Sequence, residues 1–211
     1  HRLFRRQRQM CIRDSITSHK NLISQISNDS NLIIYFFEYR LSPEYNFPSA
    51  HEDAKLAVDF INTLHPDHQS IWIGESAGGG LATGLVVDKE YLEKPDNLIL
   101  LSPWLDLSDG FEDKKFFKNS DVTIIIEGMF EVGGFYAGDY GAKNPILSPV
   151  YADVDNFPDV LIQVCTEELL YNDAVEFVKK LEDKNVNVEL QTWDGLCLLY
   201  TSPSPRDRIR S

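Results

Sequence analysis

Positive charge is scarce in this sequence. The formal net charge is −13 at neutral pH, which argues against nucleic acid or an anionic lipid surface as a partner. Apolar residues never run to the roughly 18 that a membrane-crossing helix needs, so no span is expected. Cysteine is nearly absent, with Cys11, Cys165 and Cys197 in 211 residues, too few for a disulfide framework. Histidine is confined to His1, His19, His51, His65 and His68, and none occurs from residue 69 onward. Arginine is missing from the interior: five of the nine lie in residues 1–15, three in 206–210, and only Arg40 lies between.

That break in composition marks both ends. Met10-Cys-Ile-Arg-Asp14 can be encoded by ATG TGT ATA AGA GAC, and Cys197-Leu-Leu-Tyr-Thr-Ser202 by TGT CTC TTA TAC ACA TCT. The first string is the reverse complement of fifteen consecutive bases in the second. An inverted repeat at the two edges of a coding insert resembles a sequencing adapter read through in frame. The expectation is that 1–15 and 197–211 are adapter-derived ends flanking a partial domain at 16–196. Within 16–196, twelve basic residues stand against thirty-one acidic ones, and nucleic acid becomes still less expected. Cys165 is then the only thiol, as suits a cytoplasmic or redox-indifferent protein.

What the chain does have is Ile71-Trp-Ile-Gly-Glu-Ser-Ala-Gly-Gly-Gly80, an apolar strand that turns through Gly-x-Ser-x-Gly into a helix. A serine alcohol is a poor nucleophile unless it is held out beside a base and oxyanion donors. A tight strand-to-helix turn does this: it strains the Ser76 backbone, and glycine on either side leaves room for the close approach. The following helix aims its free N–H groups at a developing oxyanion, with Ala77 N–H the expected first donor. An ordinary turn has the same five residues, so the context decides. Alternating apolar residues precede the turn, and Leu81, Leu85, Val86 and Leu92 after it suit one helix face.

Further elements follow in order. Helical spacing covers 19–26, and the continuous apolar stretch Leu32 to Phe37 predicts a strand buried on both faces, as in a parallel sheet. A loop carrying Pro43 and Pro48 leads to an amphipathic helix over 50–64. Strands are expected at 97–102, 160–164 and 186–193, a helix at 173–182, and an apolar segment at 121–136. Strands alternating with helices give an α/β fold with a doubly wound, mostly parallel sheet and no second domain.

Tyr39-Arg-Leu-Ser-Pro-Glu44 with Phe47-Pro48, Gly74-Glu-Ser-Ala-Gly-Gly79, Ser102-Pro-Trp-Leu-Asp106, Ser148-Pro149 and Phe157-Pro158 together resemble the hormone-sensitive-lipase-like esterases of the α/β-hydrolase fold. The resemblance covers 16–196 and implies hydrolysis of small-molecule carboxylic esters by a Ser–acid–His triad, with no metal or organic cofactor. It places the nucleophile at Ser76. The acid belongs in the loop after the next-to-last strand, where Glu167, Glu168 and Asp173 stand; the resemblance selects Glu168, before Leu169-Leu170. Glu168 also suits a helix N-terminus, and Asp173 suits a helix cap. The family's base lies after the last strand in Gly-x-x-His, where this chain has Gly195 to Leu198, and its His-Gly-Gly-Gly oxyanion loop falls at Gln7 to Met10. Both features are thus expected to be cut away, leaving a sheet with a missing central strand, a poorly folded chain and almost no activity. His51, His65 and His68 are expected to be solvated around a surface helix. Trp104, Asp106, Phe130, Phe135 and Tyr136 could line a substrate pocket, although core packing also explains them; Cys165 reads as a buried small hydrophobe. Amide hydrolysis or deacetylation uses the same triad, and a non-catalytic ligand-binding relative would also keep the elbow.

Overall fold

In a computed structural model, residues 16–108 and 126–194 are described. Helix α1 (Ile16–Ser30) and helix α2 (Ser49–Leu64) precede strand β1 (Ile71–Glu75). Helix α3 (Ala77–Val87), strand β2 (Asn97–Leu101), helix α4 (Ile126–Ala137), strand β3 (Asp159–Cys165), helix α5 (Tyr171–Asp183) and strand β4 (Val188–Trp193) complete the order, with short 3-10 turns at Gly138–Tyr140 and Pro149–Tyr151. The strands form one sheet in the order β1-β2-β3-β4, and every pair is parallel. A parallel pair cannot be closed by a hairpin, so a crossover joins each successive pair of strands, and α3 and α5 provide two of the three.

The register puts Trp72, Leu98, Val160 and Val188 side by side on one face. Leu98, Leu100, Val160, Ile162 and Val164 of that face pack with Ala174, Phe177, Val178 and Leu181 of α5, at helical spacing. Every one of these residues is buried, and they make the main core. The other face is more open: Ile99 and Leu161 are half-buried, and Ile71 and Ile73 at the edge are exposed.

Three expectations are corrected here. Leu32 to Phe37 belongs to no strand, and Leu32, Ile33, Tyr35 and Phe36 are exposed. A strand exists only through the ladder it shares with a neighbour, and among the described residues no strand pairs with this segment. Leu92 lies beyond the end of α3 and is 84% exposed, so it takes no part in the helix face. Asp173 does not cap its helix. Leu170 is the N-cap residue of α5, with no side-chain cap bond, and Asp173 is fully buried in the first turn.

Candidate active site

The turn after β1 has the geometry that its sequence demands. Ser76 sits at φ 51° and ψ −118° as the N-cap residue of α3, a region that costs a side-chain-bearing residue energy unless the surroundings over-determine it. Four hydrogen bonds do so. Ser76 N–H donates to Leu101 O at 2.9 Å, and Ser76 O accepts from Gly79 N–H at 3.0 Å, Gly80 N–H at 3.2 Å and Trp104 N–H at 2.9 Å. The glycines are required selectively. A Cβ on Gly74 would lie 2.5 Å from Gly78 O, and one on Gly79 would lie 2.8 Å from Pro103 Cβ, whereas Gly78 has open space around it. Crowding therefore falls on Gly74 and Gly79 rather than on the glycine that completes the pentapeptide. Ala77 is exposed and opens α3; an N–H in the first turn has no acceptor one turn earlier.

Glu168 lies in the loop between β3 and α5 and is only 4% exposed. Its Oε2 accepts a hydrogen bond from Ser102 Oγ at 2.5 Å and one from Cys165 N–H at 3.3 Å. Ser102 is itself fully buried and has a positive φ of 41°. Residues 101 and 102 thus touch both sides of the site: the Leu101 carbonyl holds the Ser76 backbone, and the Ser102 hydroxyl holds the Glu168 carboxylate. Ser76 follows β1 and Glu168 follows β3, with β2 between those strands, so both stand at the carboxyl-end side of the parallel sheet, where ligands bind in open α/β sheets. Sequence reasoning missed Ser102 as the partner of Glu168. The signal was the Ser-Pro-Trp motif that opens the loop after β2.

The end of β4 approaches the same loop. Thr166 N–H donates to Trp193 O at 3.1 Å, and Thr166 Oγ1 donates to Asp194 Oδ1 at 2.8 Å. Gly195 to Leu198, where a base is expected, lie outside the described residues, as do Gln7 to Met10, both adapter-like ends and residues 121–125.

The histidines differ from expectation. His51 is buried, not solvated: it is 4% exposed in the first turn of α2, with Nε2 3.4 Å from Asp88 Oδ2. Burial, aided by the Lys55 charge, pushes its pKa down to about 4. The expectation failed because a polar residue on a helix gives no sign of which face the rest of the fold will cover. Lys55 Nζ lies 2.6 Å from the same Asp88 oxygen. Burial raises the Asp88 carboxyl, but bonds from Lys55 and the Glu90 N–H outweigh it and leave its pKa lowered. His65 is half-buried beside Tyr35 Oη at 2.6 Å, and of the three histidines expected to be solvated, His51, His65 and His68, only His68 is exposed. His19 Nε2 lies 2.8 Å from Glu75 Oε2, next in sequence to Ser76.

Of the pocket candidates, Trp104 and Asp106 are buried, with Trp104 Nε1 donating to Asp106 O at 2.6 Å. Trp104 packs with Leu107, Met129, Leu147 and Leu170, and Tyr136 lies against that cluster. Phe135 is exposed, and the Phe130 side chain is outside the described residues. Cys165 is fully buried. Arg40, the interior arginine, ties its loop to α2: its guanidinium lies 2.8 Å from Asp53 and 3.0 Å from Glu52, and the bond from Arg40 holds the Asp53 carboxyl below its usual range. Among the described residues no cluster of His, Cys, Asp and Glu has an arrangement that could hold a metal ion, and no helix is long and apolar enough to cross a membrane.

A model of the alpha/beta hydrolase fold family matches residues 11–201. The chain belongs to that family. Its similarity extends to an esterase of Acinetobacter venetianus, 28% identical over 188 residues, which are 86% of this chain and 61% of that protein. An acetyl-hydrolase of Streptomyces hygroscopicus is 26% identical, with 83% of this chain covering 60% of it. Among solved structures, a hormone-sensitive lipase from a metagenome library superposes with a TM-score of 0.83 at 30% identity, over 92% of this chain and 68% of the other. An esterase of the bacterial hormone-sensitive lipase family gives 0.81 at 27% identity over the same shares. The α/β-hydrolase sheet is therefore established, and the chain spans about three fifths of the length of the curated relatives it matches.

Proposed function

We propose that this chain is the nucleophile-and-acid portion of a serine carboxylesterase that acts on small-molecule esters. The observation that carries the reading is a strained Ser76 after β1 and a buried Glu168 after β3, tied to the two sides of the same Leu101-Ser102 segment at the end of the intervening β2. Ser76 Oγ attacks the ester carbonyl carbon while an imidazole base takes its proton. Ala77 N–H, at the positive end of α3, donates to the oxyanion. The tetrahedral intermediate then collapses: the ester C–O bond breaks, the imidazolium returns the proton to the leaving alkoxide, and an acyl-Ser76 remains. Water activated by the same base releases the acid. Glu168 orients the imidazole and stabilises it when charged.

The sequence supplies no histidine after Ser76, so the base belongs to a longer parent protein, in the segment after β4 that starts beside the Glu168 loop. A second oxyanion donor comes from a segment before α1. The single interior thiol fits a cytoplasmic setting.

The test is to resequence the source locus across both junctions and to assay its complete product on nitrophenyl acetate and butyrate. A histidine shortly after Gly195 is expected, with turnover lowered about 10⁶-fold by Ser76→Ala, as in comparable triads. Ser102→Ala should lower kcat while leaving the protein folded. A locus that itself encodes Cys197-Leu-Leu-Tyr, with turnover equal in wild type and Ser76→Ala, would overturn the reading in favour of ligand binding.

A further inference from the structure

The proposed triad makes no use of the histidine on α1, yet that histidine touches the elbow. His19 Nε2 lies 2.8 Å from Glu75 Oε2, across 56 positions of sequence, and Glu75 is the last residue of β1, bonded directly to Ser76. Neither side chain is loose: they are 18% and 24% exposed. The His19 ring also stacks on Phe36, with centroids 6.1 Å apart and planes at 21°. In this pairing Nε2–H donates and the carboxylate accepts, a charge-assisted contact.

The position explains why such a contact matters. β1 is bonded to β2 on one side, and among the described residues no strand lies on its other side. All four hydrogen bonds that restrain Ser76 come from β2, the loop after it, or α3 itself. The His19 contact adds a restraint on the end of β1 from α1, at the point where the chain enters a positive-φ conformation.

We propose that His19 is a positioning residue for the nucleophile: by holding the Glu75 carboxylate it fixes the end of β1 and keeps Ser76 in its strained turn. The proposal rests on the esterase reading for the task of Ser76, but its conformational content stands apart from any activity.

Hydrogen exchange of the full 211-residue chain tests that content, because the amides of Ser76, Gly79 and Gly80 exchange only when the elbow opens. His19→Ala should speed exchange of a peptide spanning 74–80 about tenfold, the effect of losing one hydrogen bond to a charged group, while a peptide from β3 exchanges as before. His19→Gln, which keeps an N–H near the place of Nε2, should restore protection. In the complete product of the locus, His19→Ala should lower kcat about tenfold with KM unchanged, and Gln should again restore it. Elbow exchange that is the same in wild type and His19→Ala overturns the proposal, as does equal loosening of β3, or an Ala variant that behaves like the Gln variant. Failure of the esterase reading would look different: wild-type turnover no greater than that of Ser76→Ala, with the exchange difference at the elbow intact.

Discussion

Single residues in this chain are governed by what long-range folding puts next to them. His51 shows the consequence most directly. In the unfolded chain it titrates near 6.5, whereas burial and the Lys55 charge, opposed by Asp88, lower it to about 4 in the folded chain. Between those values the unfolded chain holds a proton that the folded chain refuses, so the contribution to stability is complete above about pH 6.5 and is lost as the pH falls towards 4. The full loss is about 3 kcal/mol. Urea midpoints of wild type and His51→Gln, measured from pH 7 to 4.5, should diverge, with the steeper decline in wild type. Parallel curves would assign the decline to carboxylates and sink this account. At this scale the sequence was legible only where chemistry is local. Gly74-Glu-Ser-Ala-Gly78 announces its own strained turn, because glycine positions and one apolar strand suffice to define it. The Ser102–Glu168 and His19–Glu75 contacts, 66 and 56 residues apart, leave no periodic trace in the sequence.

Elements were more legible than contacts, because helical and strand periodicities are properties of a dozen neighbouring residues. The helix at 173–182 is seen as Tyr171–Asp183 and the strand at 160–164 as Asp159–Cys165, differences confined to frayed ends. Leu32 to Phe37 failed for a physical reason: six apolar residues in a row state a preference, but only a partner ladder makes a strand. The energetic weight lies on α5. Phe177 is fully buried and meets Phe157 edge-on with centroids 5.8 Å apart, so Phe177→Ala should cost about 3–5 kcal/mol through lost burial and the cavity left behind. Leu92, at 84% exposure, provides the contrast: Leu92→Ala should stay within about 0.5 kcal/mol of wild type. Chemical denaturation of both variants checks the pair, and similar midpoints would mean that α5 does not sit on the sheet as described.

Across the whole molecule the sheet is asymmetric, and this sets how the chain should behave in solution. Its Leu98–Val160 face is sealed by α5, while Ile71 and Ile73 on the opposite face of β1 are 44% and 46% exposed. Beside them, β1 presents an edge with no strand partner among the described residues, and Leu32, Ile33, Tyr35 and Phe36 add further exposed apolar surface. An open edge flanked by apolar side chains is a template for pairing with another chain. What opposes it is charge: at −13 with a pI near 4.7, copies repel one another at neutral pH and low salt. The balance should tip when that repulsion is removed. Salt at physiological strength shortens the reach of charge to about 8 Å, and a pH near the pI removes most of the net charge, so either change should convert monomer into dimers and larger species by light scattering. Ile73→Lys places a charge on the exposed face beside the edge, as natural edge strands do, and should keep the chain monomeric under the same conditions. If wild type stays monomeric from low to high salt and down to its pI, another part of the chain covers the β1 edge, and the surface that now looks available to a second copy is already occupied.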